Sequence, residues 1–154
     1  MKTYKLAIIG CGKVAHLHAK AIVNLPNATL VAVWSRTPES AKKFATIYDV
    51  KPYDDIQTMV RENGIDLVVV CNPHPFHMDV SIKAARAGAH VLVEKPLAST
   101  LEDCDTMINE CRLAGVRLGV ISQRRWYDPV RRVRQAIDDG KIGAPALGTV
   151  NMLG

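Results

Sequence analysis

Short aliphatic runs alternate with amphipathic helical stretches through nearly the whole chain, and this rhythm restricts the fold more than any other feature. Strands joined by long helical crossovers pair in parallel, because a tight hairpin cannot bring a chain back in the same direction. Tyr4 to Ile9 reads as the first strand, and Val14 to Asn24 as a helix with Leu17, Ala21 and Ile22 on one apolar stripe. Thr29 to Trp34 is the second strand. Thr37 as N-cap and Pro38 at the first helical position predict a helix to Ile47. Asp54 to Glu62 predicts a short helix closed by Asn63 and Gly64. The unbroken apolar run Leu67 to Cys71 suits a central strand covered on both faces. A helix over Met78 to Ala87, a strand over His90 to Val93, a helix capped by Ser99 or Thr100 and running to Ala114, and a strand over Arg117 to Ile121 continue the series.

Beyond Ile121 the rhythm changes. A long arginine-rich helix is expected around Pro129 to Asp139, then turns at Gly140 and Gly143 and a strand over Leu147 to Met152. A lone strand at the end of a chain has nothing to pair with, so this segment reads as the start of a second domain in a longer protein.

Composition narrows the class. Apolar residues make up 48% and charged ones 23%, a balance that excludes a disordered chain. No apolar run approaches the roughly 18 residues of a membrane span, and the opening lacks the apolar core of a secretory signal, so a cytoplasmic protein without a membrane partner is expected. Cys11, Cys71, Cys104 and Cys111 form no C-x-x-C pair and read as small buried hydrophobes. Half of the arginines fall at Arg124, Arg125, Arg131, Arg132 and Arg134, without interleaved aromatics, so a solvated helix face or a domain contact is expected and nucleic acid is not.

The chemistry starts at Gly10-Cys11-Gly12-Lys13-Val14-Ala15, which follows the first strand and opens the first helix as the dinucleotide fingerprint G-x-G-x-x-G/A requires. Gly10 permits the tight turn, Gly12 the approach of a pyrophosphate, and Ala15 the close packing of helix on strand. The expected architecture is therefore a Rossmann-type doubly wound parallel sheet. At the end of the second strand, where an acid would accept the ribose 2′-hydroxyl of NAD, stand Ser35 and Arg36. Arg36 offers a fork for the 2′-phosphate of NADP, the alternative being an exposed loop arginine.

Glu94-Lys95-Pro96 closes the strand after His90 at the carboxyl edge, where ligands of open α/β sheets gather. Beside a nicotinamide, Lys95 could serve as an acid or base; it could equally be a solvated strand end. The loop Cys71-Asn72-Pro73-His74-Pro75-Phe76-His77 is rigid and lies at the same edge, with Asn72 or His77 read as a helix cap or a cofactor contact. His74 and His77 lack a third ligand at metal spacing, so no metal is expected. His16 and His18 read as structural.

The order Gly10-Cys11-Gly12, Cys71 to His77, and Ala87 to Ala98 with its E-K-P triplet resembles the glucose-fructose oxidoreductase, inositol dehydrogenase and rhizopine-catabolism (Gfo/Idh/MocA) family. The resemblance implies a cofactor domain over 1–121, and over 122–154 the crossover helix and first strand of a truncated C-terminal α/β domain. It implies NADP or NAD as cofactor, a sugar, cyclitol or related substrate, and a homo-oligomer at full length. Lys95 would be the active-site lysine, Glu94 and Pro96 its positioning neighbours, and His77 the histidine that follows the T-P-N-type loop. This chain departs from that loop, with Asn72-Pro73-His74 where threonine, proline and asparagine are commonest. Gly10, Cys11, Gly12, Lys13, Val14, Ser35, Arg36, Cys71, Asn72, Pro73, His74, His77, Glu94 and Lys95 are thus the expected cofactor residues. The rival readings are a non-catalytic module that senses dinucleotide, or an enzyme of another family that carries an E-K-P triplet.

Overall fold

A computed structural model describes residues 2–150, and the chain divides into two compact units, Met1–Ile121 and Ser122–Gly154. In the first, six strands form one parallel sheet: β1 (Tyr4–Ile9), β2 (Ala28–Trp34), β3 (Lys51–Tyr53), β4 (Leu67–Val70), β5 (His90–Val93) and β6 (Leu118–Val120). Their order across the sheet is β3-β2-β1-β4-β5-β6. This is the doubly wound Rossmann order, and its reversal lies between β1 and β4.

Five helices cover the two faces: α1 (Lys13–Val23), α2 (Pro38–Tyr48), α3 (Ile56–Asn63), α4 (His77–Arg86) and α5 (Leu101–Leu113). The pleat of β1 shows why both layers are needed. Leu6 and Ile8 pack with Ala15, Ala19 and Ile22 of α1 and Phe44 of α2, whereas Ala7 and Ile9 pack with α3, α4 and α5 through Met59, Val80 and Met107. A strand buried on both sides has no polar face to alternate with, which is why β4 reads as an unbroken apolar run, as does β1 from Leu6 onward.

Several helix ends follow the expected chemistry and others do not. Thr100 caps α5 by accepting from the Asp103 N–H, and Ser99 makes no cap. α3 starts later than Asp54, because the Asp55 carboxylate takes the Thr58 N–H at 2.7 Å. Thr37 stands at the N-cap of α2 without a side-chain cap bond. β3 was not legible as a strand: it has three residues, contains Pro52, and pairs only with β2 at the sheet edge, a position that tolerates a proline.

The second unit holds a 3-10 turn over Gln123–Trp126 and the helix α6 (Asp128–Asp138), with an Arg134–Asp138 ion pair of 2.7 Å along its flank. The strand expected over Leu147 to Met152 is absent at 147–150, and its remainder lies outside the described residues. A strand without a partner for its ladder has no stable geometry to adopt.

Candidate functional site

The loop after β1 is shaped by what its backbone must avoid. Gly10 adopts φ +97°, and a Cβ there would lie 2.6 Å from the Asn72 nitrogen in the loop after β4. Only glycine permits both. Gly12 differs: its φ of −77° suits any residue, but a Cβ would meet no protein atom within 4 Å, so its missing side chain leaves open space. Gly12 is also the N-cap of α1, with no side-chain cap and no acidic residue in the first turn. The first amides of the helix and the positive end of its dipole therefore stay available to an anion. Ala15 is fully buried against the sheet, as the third small residue of the fingerprint should be.

That open space belongs to a cleft of about 620 Å³, a size typical of small-molecule sites, at the switch point of the sheet. Its floor is the loop from Gly10 and Cys11 through Gly12, Lys13 and Val14. Ser35 and Arg36 line the wall beyond β2, and Cys71, Asn72 and Pro73 the wall beyond β4. Trp34, Thr37 and Ser40 join the first wall, and Phe76, Asp79, Val80 and Lys83 the second; these were not legible in the sequence because the sides of α2 and α4 that face the cleft are a tertiary property. The period of α4 does place Asp79, Val80 and Lys83 on one side of a helix, a signal that becomes usable once that side is known to face the cleft. Lys13, Arg36 and Lys83 outnumber Asp79 among the charged lining groups. A positive cleft over a helix N-terminus suits a diphosphate.

Four of the expected residues do not line this cleft. His74 is exposed in the short 3-10 turn His74–Phe76. His77, expected as a cap or cofactor contact, caps nothing, since Phe76 holds the N-cap position of α4. His77 is instead 1% exposed, with Nε2 2.8 Å from the Asn72 carbonyl and Nδ1 2.9 Å from that of Pro96. It ties the loop after β4 to the segment after β5, because a buried ring with two polar atoms must find partners. Glu94 is turned inward too: its carboxylate meets His18 Nε2 at 2.9 Å and accepts the Lys95 N–H at 3.1 Å. His18, on α1, thus holds the residue beside Lys95. His16 meets the Tyr48 hydroxyl at 2.9 Å, a contact within the α1 and α2 layer. Lys95 is exposed in the bend after β5 and outside the cleft lining.

Both cleft thiols stay protonated. Burial pushes Cys11 up to about 11, partly offset by a Ser35 hydrogen bond, and burial followed by the Glu94 carboxylate and Cys11 pushes Cys71 up to about 12. The floor therefore carries no negative charge to repel phosphate. Asn72 Oδ1 is buried without a hydrogen-bond partner among the described residues, an acceptor that a ribose hydroxyl or a carboxamide would satisfy. The residues present fit a dinucleotide on three counts: open space at Gly12, free helix amides, and an orphaned acceptor. Among the described residues no three His, Cys, Asp or Glu side chains converge on a metal position, and no helix is long and apolar enough to cross a membrane.

Comparison with known proteins agrees with this geometry. The chain is 32% identical over 152 residues to D-apiose dehydrogenase of Paraburkholderia graminis, an alignment covering 98% of this chain and 40% of that one. Its fold matches the WlbA dehydrogenase of Bordetella pertussis, solved in complex with NADH and UDP-GlcNAcA, with a TM-score of 0.87 and 31% identity over 92% of this chain and 41% of that one. It also matches scyllo-inositol dehydrogenase of Lactobacillus casei, solved with NAD(H) and scyllo-inositol, with a TM-score of 0.83 and 30% identity over 92% of this chain and 43% of that one. The chain thus spans about two fifths of the length of these relatives. Residues 4–122 match the model of the oxidoreductase family with an NAD-binding Rossmann fold, and the chain belongs to that family, Gfo/Idh/MocA.

Proposed function

We propose that this chain is the cofactor-holding half of a cytoplasmic dehydrogenase or reductase that moves a hydride between a nicotinamide dinucleotide and a hydroxyl or carbonyl carbon of a sugar or cyclitol. The observation that carries this reading is the positive cleft over the uncapped N-terminus of α1 at the sheet's switch point. The relatives named for apiose and scyllo-inositol supply the substrate class. Four free thiols fit a reducing compartment.

Gly12 and the first amides of α1 hold the diphosphate, and Asn72 Oδ1 accepts a hydrogen bond from the bound molecule. Ser35 and Arg36 stand where an acid would select NAD, so NADP is the preferred cofactor. The bound nicotinamide supplies the acceptor or donor of hydride. Lys95 holds the proton: its Nζ withdraws hydrogen from the substrate hydroxyl, or returns it to the carbonyl oxygen in the reverse direction. Glu94, fixed by His18 and by the Lys95 amide, sets the bend from which Lys95 reaches the substrate. Residues 122–150 begin the substrate domain, and the full-length enzyme forms a homo-oligomer.

The test is turnover by the full-length protein with a panel of aldoses, ketoses and cyclitols, read from the absorbance of reduced nicotinamide. Dehydrogenation of at least one cyclic polyol or sugar is the expected result. Tight dinucleotide binding with no turnover across the panel would instead support a regulatory module that senses the cofactor.

A further inference from the structure

Glu94 turns inward at the end of β5, its side chain 15% exposed, and the His18 ring that meets it from α1 is 21% exposed. A carboxylate so placed needs donors, because an unpaired charge away from water is costly. Oε1 lies 2.9 Å from His18 Nε2, and Oε2 accepts the Lys95 N–H at 3.1 Å. An ionised carboxylate only accepts, so Nε2 is the ring nitrogen that carries the hydrogen. The Cys71 thiol, pushed up to about 12 by burial and then by Glu94, stays protonated and supplies no counter-charge. His18 therefore keeps Glu94 turned in, and Glu94 holds the Lys95 amide.

The other end of this chain of contacts is the phosphate-binding loop. His18 follows Val14 by four residues, one turn along the same face of α1, and Lys13 and Val14 line the cleft. His16, two residues earlier, turns away to Tyr48 and takes no part. The N-terminus of α1 has no side-chain cap, so its first amides gain partners when an anion binds. Resting on the reading of the cleft as a dinucleotide site and of Lys95 as the proton carrier, we infer that His18 is a positioning residue, which couples occupation of the phosphate loop to the bend that presents Lys95. An anion that fixes the first turn of α1 also fixes His18, about 7.5 Å along the helix axis from Lys13. Through Glu94 it then fixes the Lys95 backbone. Lys95 is thus held best when the diphosphate is in place, and the coupling is reciprocal: a fixed bend favours the diphosphate.

The experiment uses the 154-residue chain with ADP-ribose, which carries the diphosphate and no nicotinamide, so that nothing in the probe reaches Lys95 directly. Hydrogen exchange at the Lys95 amide, followed by NMR, should slow about fivefold or more when ADP-ribose binds the native chain. His18→Ala should bind ADP-ribose, keep its circular dichroism spectrum and lose this response. His18→Gln, whose side-chain amide reaches about as far as Nε2, should regain it. In the full-length enzyme His18→Ala should lower kcat by roughly tenfold or more with little change in KM, since a misplaced acid or base costs turnover and not binding. A native Lys95 amide that does not respond to bound ADP-ribose, or an equal response in His18→Ala, overturns the coupling and leaves the dinucleotide reading intact. Failure of ADP-ribose to bind the native chain overturns both. Native turnover in Lys95→Ala overturns the role of Lys95, and with it the positioning role of His18, even where the amide responds.

Discussion

Lys95 lies in a bend whose shape is set from two sides, by Glu94 accepting its N–H and by His77 holding the Pro96 carbonyl. In the full-length enzyme Lys95→Ala should lower kcat by roughly 10²-fold or more, the usual contribution of a general acid or base, with little change in dinucleotide affinity. Lys95→Arg should not restore turnover, because a guanidinium keeps its proton at any working pH. A near-normal kcat with weakened cofactor binding would make Lys95 a binding residue. At Arg36 the expected result is a preference for NADPH over NADH of about tenfold, from a charge-assisted bond worth roughly 1.5–3 kcal/mol. Arg36→Ala should abolish the preference; calorimetric titration of both cofactors checks it. Glycines and strand-end residues such as Gly10, Gly12, Ser35 and Arg36 were legible from sequence because their positions follow from local order. His77 and Glu94 were not: each sits beside the cleft in the chain but turns to partners 19 and 76 residues away in sequence, which no local pattern reveals.

The elements that build the cleft depend on a few points where backbone meets backbone. Gly10→Ala should destabilise the chain by about 1–3 kcal/mol or more, since the left-handed conformation alone costs that much and the added methyl overlaps the loop after β4. A urea titration that shows no loss would mean this loop yields more than the close approach suggests. α3 offers a pH-dependent counterpart. The Thr58 N–H donated to Asp55 holds that carboxyl below its ordinary 3.8, so the cap stabilises α3 fully above that value and loses its effect as pH falls through the depressed one. Asp55→Asn, which keeps an acceptor without a charge, should flatten this part of the acid limb of a thermal melt, and an unchanged acid limb would mean that the ionised cap adds nothing to stability. The major strands and helices were legible because each carries a period or a covered apolar run. β3 was not, since three residues with a central proline have no period to show.

Across the whole molecule, the first unit carries the cleft and the second presents exposed apolar side chains, Trp126 at 76% and Val133 at 57%. Such surface favours association, so this chain by itself is expected to bind dinucleotide more weakly than a full-length relative and to turn over no sugar, on the proposal that a further domain supplies the remaining substrate-orienting contacts. Measurable dehydrogenation by the chain alone, at a rate like that of a full-length relative, would place the catalytic contacts differently. A dinucleotide is expected in the space left by Gly12 over α1, and Gly12→Val fills that space alone. The native φ suits valine and a Cβ meets no protein atom, so the variant should fold with an unchanged melting temperature. Calorimetric titration with NADPH and NADH should give binding at one site per native chain and none in Gly12→Val; full binding by a folded Gly12→Val chain would rule out this cleft as the dinucleotide site.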